Sequence, residues 1–137
     1  SRGLGDVYKR QVMIQSMWFN LHVKDLKRSE QFYQSLGFEI KHNPDMLDKM
    51  VGIKIGSTIV ILIENKHFEA VTQDKVHANV NETIISLGVK TNAEVDQLVK
   101  QVEASGGRIL EQPTVKQGYY GAMFTDPDGH KFNFLVC

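Results

Sequence analysis

Apolar residues recur along the chain in two alternating rhythms, and the pair of rhythms occurs twice. Trp18–Val23 alternates as a strand does, and Leu26, Ser29, Phe32, Tyr33 and Leu36 then fall on one side of a helix that Asp25 can cap and Gly37 can end. Moving forward by 66 residues, Leu21, Val23, Lys24, Phe32 and Leu36 map onto Leu87, Val89, Lys90, Leu98 and Val102. The second copy again runs strand, helix, glycine, closing at Gly106-Gly107. A strand–helix–strands unit used twice is the simplest reading.

In the first unit, Phe38–His42 reads as a strand and Asn43-Pro44-Asp45 as a turn. Met50–Ile55 and Thr58–Glu64 flank Gly56-Ser57 as a hairpin. Residues 65–81 form a polar connection in which Phe68, Ala70 and Val71 suggest a short helix. In the second unit Glu82–Lys90 is a strand. Thr91 and Glu94 have capping-box spacing, and Val95, Leu98, Val99 and Val102 define an apolar helix face. Strands follow at Arg108–Glu111, Tyr119–Thr125 and Lys131–Val136, the last two joined by the turn Asp126-Pro127-Asp128-Gly129.

The expected fold is α+β, with two tandem βαβββ modules at 17–64 and 82–137 joined by the linker 65–81 in a single domain, 13–137. Residues 1–12 continue neither rhythm and read as a leader outside the domain, with Met13 or Met17 as the start. Each module alone would bury only about 60% of its unfolded surface, so the two should share a core.

Composition narrows the function. With 16 basic and 16 acidic residues the chain lacks the electrostatic footprint of a nucleic-acid or anionic-membrane binder. The longest apolar run, Thr58–Ile63, is too short to span a bilayer. A lone cysteine, Cys137, excludes an intrachain disulfide and fits a reducing, cytoplasmic setting. No GxSxG, GxxxxGK[ST], CxxC or HExxH pattern occurs.

Two stretches together, VKDLKRSEQFYQSLGF after the first strand and FTDPDGHKFNF near the C-terminus, resemble the vicinal oxygen chelate superfamily. That family includes glyoxalase I, extradiol dioxygenases, and fosfomycin- and bleomycin-resistance proteins, and the resemblance covers Met17–Cys137. It implies an open, mostly antiparallel, eight-stranded barrel with helices outside, a central cavity, and a homodimer. The family's metal-ligand positions carry over to Trp18, seven residues before Asp25; to Ile61, or Glu64 in a shifted register; to Ile84; and to Asn133, seven past Asp126. An indole and two butyl side chains offer a cation no lone pair, and an amide offers a weak one. No metal triad is recognisable, the expected metal and cofactor are none, and enzyme activity is left undecided.

Alternation from those anchors places Trp18, Asn20, His22, Ile61, Ser86 and Asn133 in the lining, with Tyr119 or Tyr120, Tyr120 being preferred. It turns Phe19, Leu21 and Val23 to the helices and sends Glu64 to the strand end. Each has a plainer reading. Trp18 can be a barrel plug, His22 a partly exposed strand histidine rather than a general base, and Asn20 and Asn133 partners of each other. The favoured function is a protein that binds a small organic molecule in its barrel without a metal. Two alternatives stand beside it. One is a lyase, isomerase or dioxygenase with an atypical ligand set such as His22, Glu64 and Asn133. The other is a dimeric interaction module with a filled cavity.

Overall fold

The structure, a computed structural model, describes residues 13–137. The leader assigned to residues 1–12 lies outside the described residues. Eight strands and three helices follow in the order β1 (Phe19–Val23), α1 (Leu26–Ser35), β2 (Glu39–Lys41), β3 (Met50–Ile55), β4 (Thr58–Glu64), α2 (Asn65–Thr72), β5 (Ile84–Val89), α3 (Asn92–Ala104), β6 (Arg108–Lys116), β7 (Tyr119–Thr125) and β8 (Lys131–Val136). Among the described residues no helix is long and apolar enough to cross a membrane.

The two modules have the same topology. One sheet runs β1-β4-β3-β2 and the other β5-β8-β7-β6, so each has one parallel pair and two antiparallel pairs. Among the described residues no strand pairing joins the sheets; they are two four-stranded sheets rather than one closed barrel. The helices begin as the sequence predicts. The Asp25 carboxylate accepts the Arg28 N–H at 3.1 Å to start α1. At α3 the Thr91 hydroxyl accepts the Glu94 N–H at 3.1 Å while the Glu94 carboxylate takes the Thr91 N–H at 3.0 Å. Both helices stop at a glycine in the left-handed region, Gly37 at φ +97° and Gly106 at φ +95°.

The modules share one core, as their size requires. Phe32 and Tyr33 of α1 and Leu62 of β4 pack in one cluster with Val95, Val99 and Val102 of α3 and with Phe124, Phe132 and Phe134. Tyr33 meets Phe132 across the boundary at 5.8 Å between ring centroids. Phe124 stacks on Phe132 and Phe134 at 5.3 and 4.6 Å.

Two strands differ from expectation. β1 starts at Phe19, leaving Trp18 just before the strand. Phe19 is 53% exposed instead of packed on a helix, because α1 lies mainly over β2, β3 and β4. β6 continues through Pro113 to Lys116, since register shifts around Glu111 and Thr114 absorb the missing N–H.

Candidate functional site

Alternation along each sheet separates a helix-packed face from an opposite face, and the opposite faces carry the grooves. In β4, Val60 and Leu62 are buried toward α1 while Ile61 and Ile63 turn the other way. The register sets Asn20 beside Ile61 and His22 beside Ile63, with Met50 across from Ile63. The linker turns back over this face as α2, which packs on β1 and β4. Between sheet and helix lies a groove of about 650 Å³, with Trp18, Asn20, Met50, Ile61 and Ile63 on one side and His67, Phe68, Val71 and Thr72 on the other. Trp18 stands half-exposed at its rim.

The second sheet has its own groove, about 340 Å³, lined by Asn133, Leu135, Met123, Gly121 and Tyr119, with Glu111 and Lys116 paired at 3.4 Å beside it. Asn133 Oδ1 is buried there without a hydrogen-bond partner. The two grooves share no lining residue.

This divides the residues expected in one lining. Trp18, Asn20 and Ile61 meet in the first groove, and Asn133 lines the second. Ser86, in register with Asn133, is exposed and lies beside a gap of about 220 Å³ between the modules. Tyr120 is a correction: it shares a face with Ala122 and Phe124, and its hydroxyl donates to Asp96 Oδ1 of α3 at 2.5 Å. Tyr119 takes the groove side instead. Glu64 caps the start of α2 by accepting the Lys66 N–H at 3.1 Å and faces away from Ile61 and Ile63.

His22, expected in the lining, is not among the residues that line the first groove; it packs beside Phe68 where the modules meet. Its ring packs edge-on against Phe68 at 5.4 Å and against His130 at 4.8 Å. His130 Nε2–H donates to the His22 carbonyl oxygen at 2.6 Å, which requires the proton on Nε2. Behind the pair, Asp126 is 1% exposed. Its Oδ2 accepts the Tyr33 hydroxyl at 2.5 Å, and its Oδ1 accepts the N–H groups of Asp128 and His130 at 3.0 and 2.8 Å. Asp128 Oδ1 accepts the Lys24 N–H at 2.8 Å and the Arg28 guanidinium at 3.2 Å, and its Oδ2 accepts the Ser29 hydroxyl at 3.3 Å. The DPDG stretch, read from sequence as a turn, is therefore also the clasp that binds module two to module one. From sequence, His130 is given no role and Phe68 only a place in a short linker helix. The proximity of His130 to the motif was a usable signal; the folding back of α2 left none.

The clasp is electrostatically constrained. Burial raises the Asp126 pKa above the ordinary carboxylate value, opposed by His130 and the Tyr33 hydroxyl. Burial, then Asp126, pushes the Tyr33 hydroxyl well up, so it stays a donor. For His22, burial first and the adjacent His130 second lower the pKa below 6.5, against smaller opposing effects of Asn65, Asp128 and Asp126. With the folded value lower, the unfolded chain binds the His22 proton more readily. The stability this group contributes is complete above pH 6.5 and is lost as the pH falls through 6.5 toward the folded value. Urea midpoints should drop from pH 7.5 to about 5.5, and His22→Phe should flatten that slope. Asp126, with its raised pKa, acts in the opposite sense; an unchanged slope in the variant would assign the effect elsewhere.

The positions that would hold a divalent ion, Trp18, Ile61, Ile84 and Asn133, supply one amide as their only donor group. Ile84 is 50% exposed and Asn133 lies in the other groove. Among the described residues no three of His, Cys, Asp and Glu are placed to share an ion. As a donor set they do not fit a cation that wants about three protein ligands. Glu64 and Asn133 point to different places, so the atypical set with His22 does not converge either.

Comparison with known proteins agrees with this architecture. A family model of bleomycin resistance protein-like N-terminal regions matches residues 15–56. A hypothetical protein, SA1046, from S. aureus is 64% identical over 96% of this chain and 99% of its own, with a TM-score of 0.89. A glyoxalase-related enzyme from Fulvimarina pelagi, 20% identical over 90% of this chain and 89% of its own, has a TM-score of 0.78. A fosfomycin resistance protein, FosX, from Listeria monocytogenes, 23% identical over 91% and 93%, has a TM-score of 0.68. No curated protein matches the chain. With its duplicated βαβββ modules, the chain has the fold of the glyoxalase/bleomycin resistance/dioxygenase proteins, and its first module matches the bleomycin resistance protein-like N-terminal model.

Proposed function

We propose that this is a cytoplasmic, homodimeric, metal-free member of the superfamily that binds a small organic molecule and sequesters it. The groove between sheet one and α2 carries the reading. Its 650 Å³ suits a small ligand. Its walls are mainly apolar, with Asn20, His67 and Thr72 as directed polar groups, the usual makeup of such sites. The chemistry at the inherited metal positions supports binding without an ion.

Trp18, the single tryptophan of the chain, stands at the rim and reports on occupancy. In a screen of small organic molecules, true ligands should shift Trp18 emission and raise Tm, by about 2.7 kcal/mol of added stability at a hundredfold excess over Kd. Trp18→Leu should weaken the same ligands about tenfold by calorimetry, which is about 1.4 kcal/mol. A stoichiometric divalent ion in protein purified without chelator, or a screen in which nothing binds, would overturn the proposal. Light scattering in solution tests the dimer.

A further inference from the structure

We infer that the ligand of the first groove is an uncharged aromatic molecule; this rests on the binding role proposed above and specifies its chemistry. Residues with a formal charge make up 23% of the chain, yet among the described residues no Asp, Glu, Lys or Arg lines this groove. On the other side of β4 the contrast is sharp. A groove of about 840 Å³ at the start of α1 gathers Lys24, Asp25, Lys27, Arg28, Glu30 and Asp48. The two faces of sheet one therefore differ in charge.

A charged ligand entering between Ile61, Ile63, Met50 and Val71 would give up hydration, and among the described residues of the walls the His67 imidazole is the one ionisable group it could meet. Charges outside the groove act across solvent and are screened over about 8 Å at physiological salt. A neutral ligand loses little and gains from the apolar surface. The aromatic part follows from the rim. Trp18 and Phe19 are each about half exposed and lie at one end, with Phe68 on the helix side, so a flat ring finds aromatic surface to lie along or meet edge-on. Such surfaces also attract cations. Here Phe68 is already engaged by His22 at 5.4 Å, and the deeper walls are aliphatic, so the rings do not converge on one point charge. Asn20 and Thr72 can satisfy a hydroxyl or carbonyl on the ring.

The test compares 2-naphthol, 2-naphthoate and 2-naphthylmethylammonium at pH 7.5, titrated into the full chain and followed by Trp18 emission and calorimetry. The expected result is 2-naphthol binding at least tenfold more tightly than either ion. Equal or tighter binding of naphthoate or of the ammonium would overturn the inference while leaving the binding role intact. Failure of all three, with a broad screen also empty, would remove the binding role and this inference with it. A broad screen yielding only ions would remove the inference alone. A second arm places a charge in the wall: Val71 is 63% exposed on α2, so Val71→Lys should fold normally. It should shift the preference toward naphthoate by about tenfold or more. An unmoved preference would mean that the ligand sits elsewhere.

Discussion

Asp126→Ala is expected to lower unfolding stability by about 4 kcal/mol, a large share of the roughly 5–15 kcal/mol typical of a domain this size. Among the described residues the carboxylate is the one acceptor of the Tyr33 hydroxyl, and its other oxygen holds the N–H groups of Asp128 and His130. Alanine leaves all three donors without that acceptor, and Tyr33 is fully buried, so water cannot replace it without opening the core. Each orphaned buried group costs about 1–3 kcal/mol. Asp126→Asn keeps an oxygen in place and should cost clearly less. Urea denaturation at pH 7.5 reads both. A loss under about 1 kcal/mol for the alanine variant would show that the clasp does not hold the modules together.

The second large effect is steric. In Gly107→Ala the new methyl would lie 2.6 Å from Val102 Cγ1, 2.7 Å from Phe32 Cε1 and 2.8 Å from the Thr125 carbonyl oxygen. Those atoms belong to α3, to α1 of the other module, and to the end of β7. Val102 and Phe32 are both fully buried, so neither can swing aside. The expected cost is about 3 kcal/mol, at the upper end of overpacking effects. Its neighbour provides the control. A methyl added at Gly106 would meet nothing within 4 Å, but the residue sits at φ +95°, so Gly106→Ala should cost only about 1 kcal/mol through backbone strain. If the two variants lose equal stability, the close approach of α1 to the end of α3 is not what makes glycine necessary at 107.

Periodicity carries some kinds of structural information and not others. β3, β4, β7 and β8 occupy the expected residues because their apolar alternation is bounded by turn chemistry. Pro113 hides the continuation of β6, since a proline reads as a stop unless a bulge is known to accommodate it. Placing Tyr120 in the lining puts it on the wrong face, although the correct parity is available: it is four residues from Phe124, which stacks in the core on Phe132. The pooling of Trp18, Asn20 and Ile61 with Asn133 in one cavity fails for a deeper reason. Alternation assigns faces within a sheet but does not say which faces of two sheets meet. The role of Asp126 is illegible for a similar reason. Its partners Tyr33 and, through Asp128, Lys24 lie about a hundred residues earlier in the chain, beyond any local pattern.

The contacts from Asp128 and His130 have an effect beyond joining the modules. β1 is the outermost strand of its sheet, and its outward-pointing peptide groups are a template for another chain to pair with. At its C-terminal end the His22 carbonyl and the Lys24 N–H are already engaged, by side chains arriving from module two. Folding of the second half thus shields the first from intermolecular strand addition. A nascent or truncated chain lacking residues after 125 would expose that flank and become prone to aggregate.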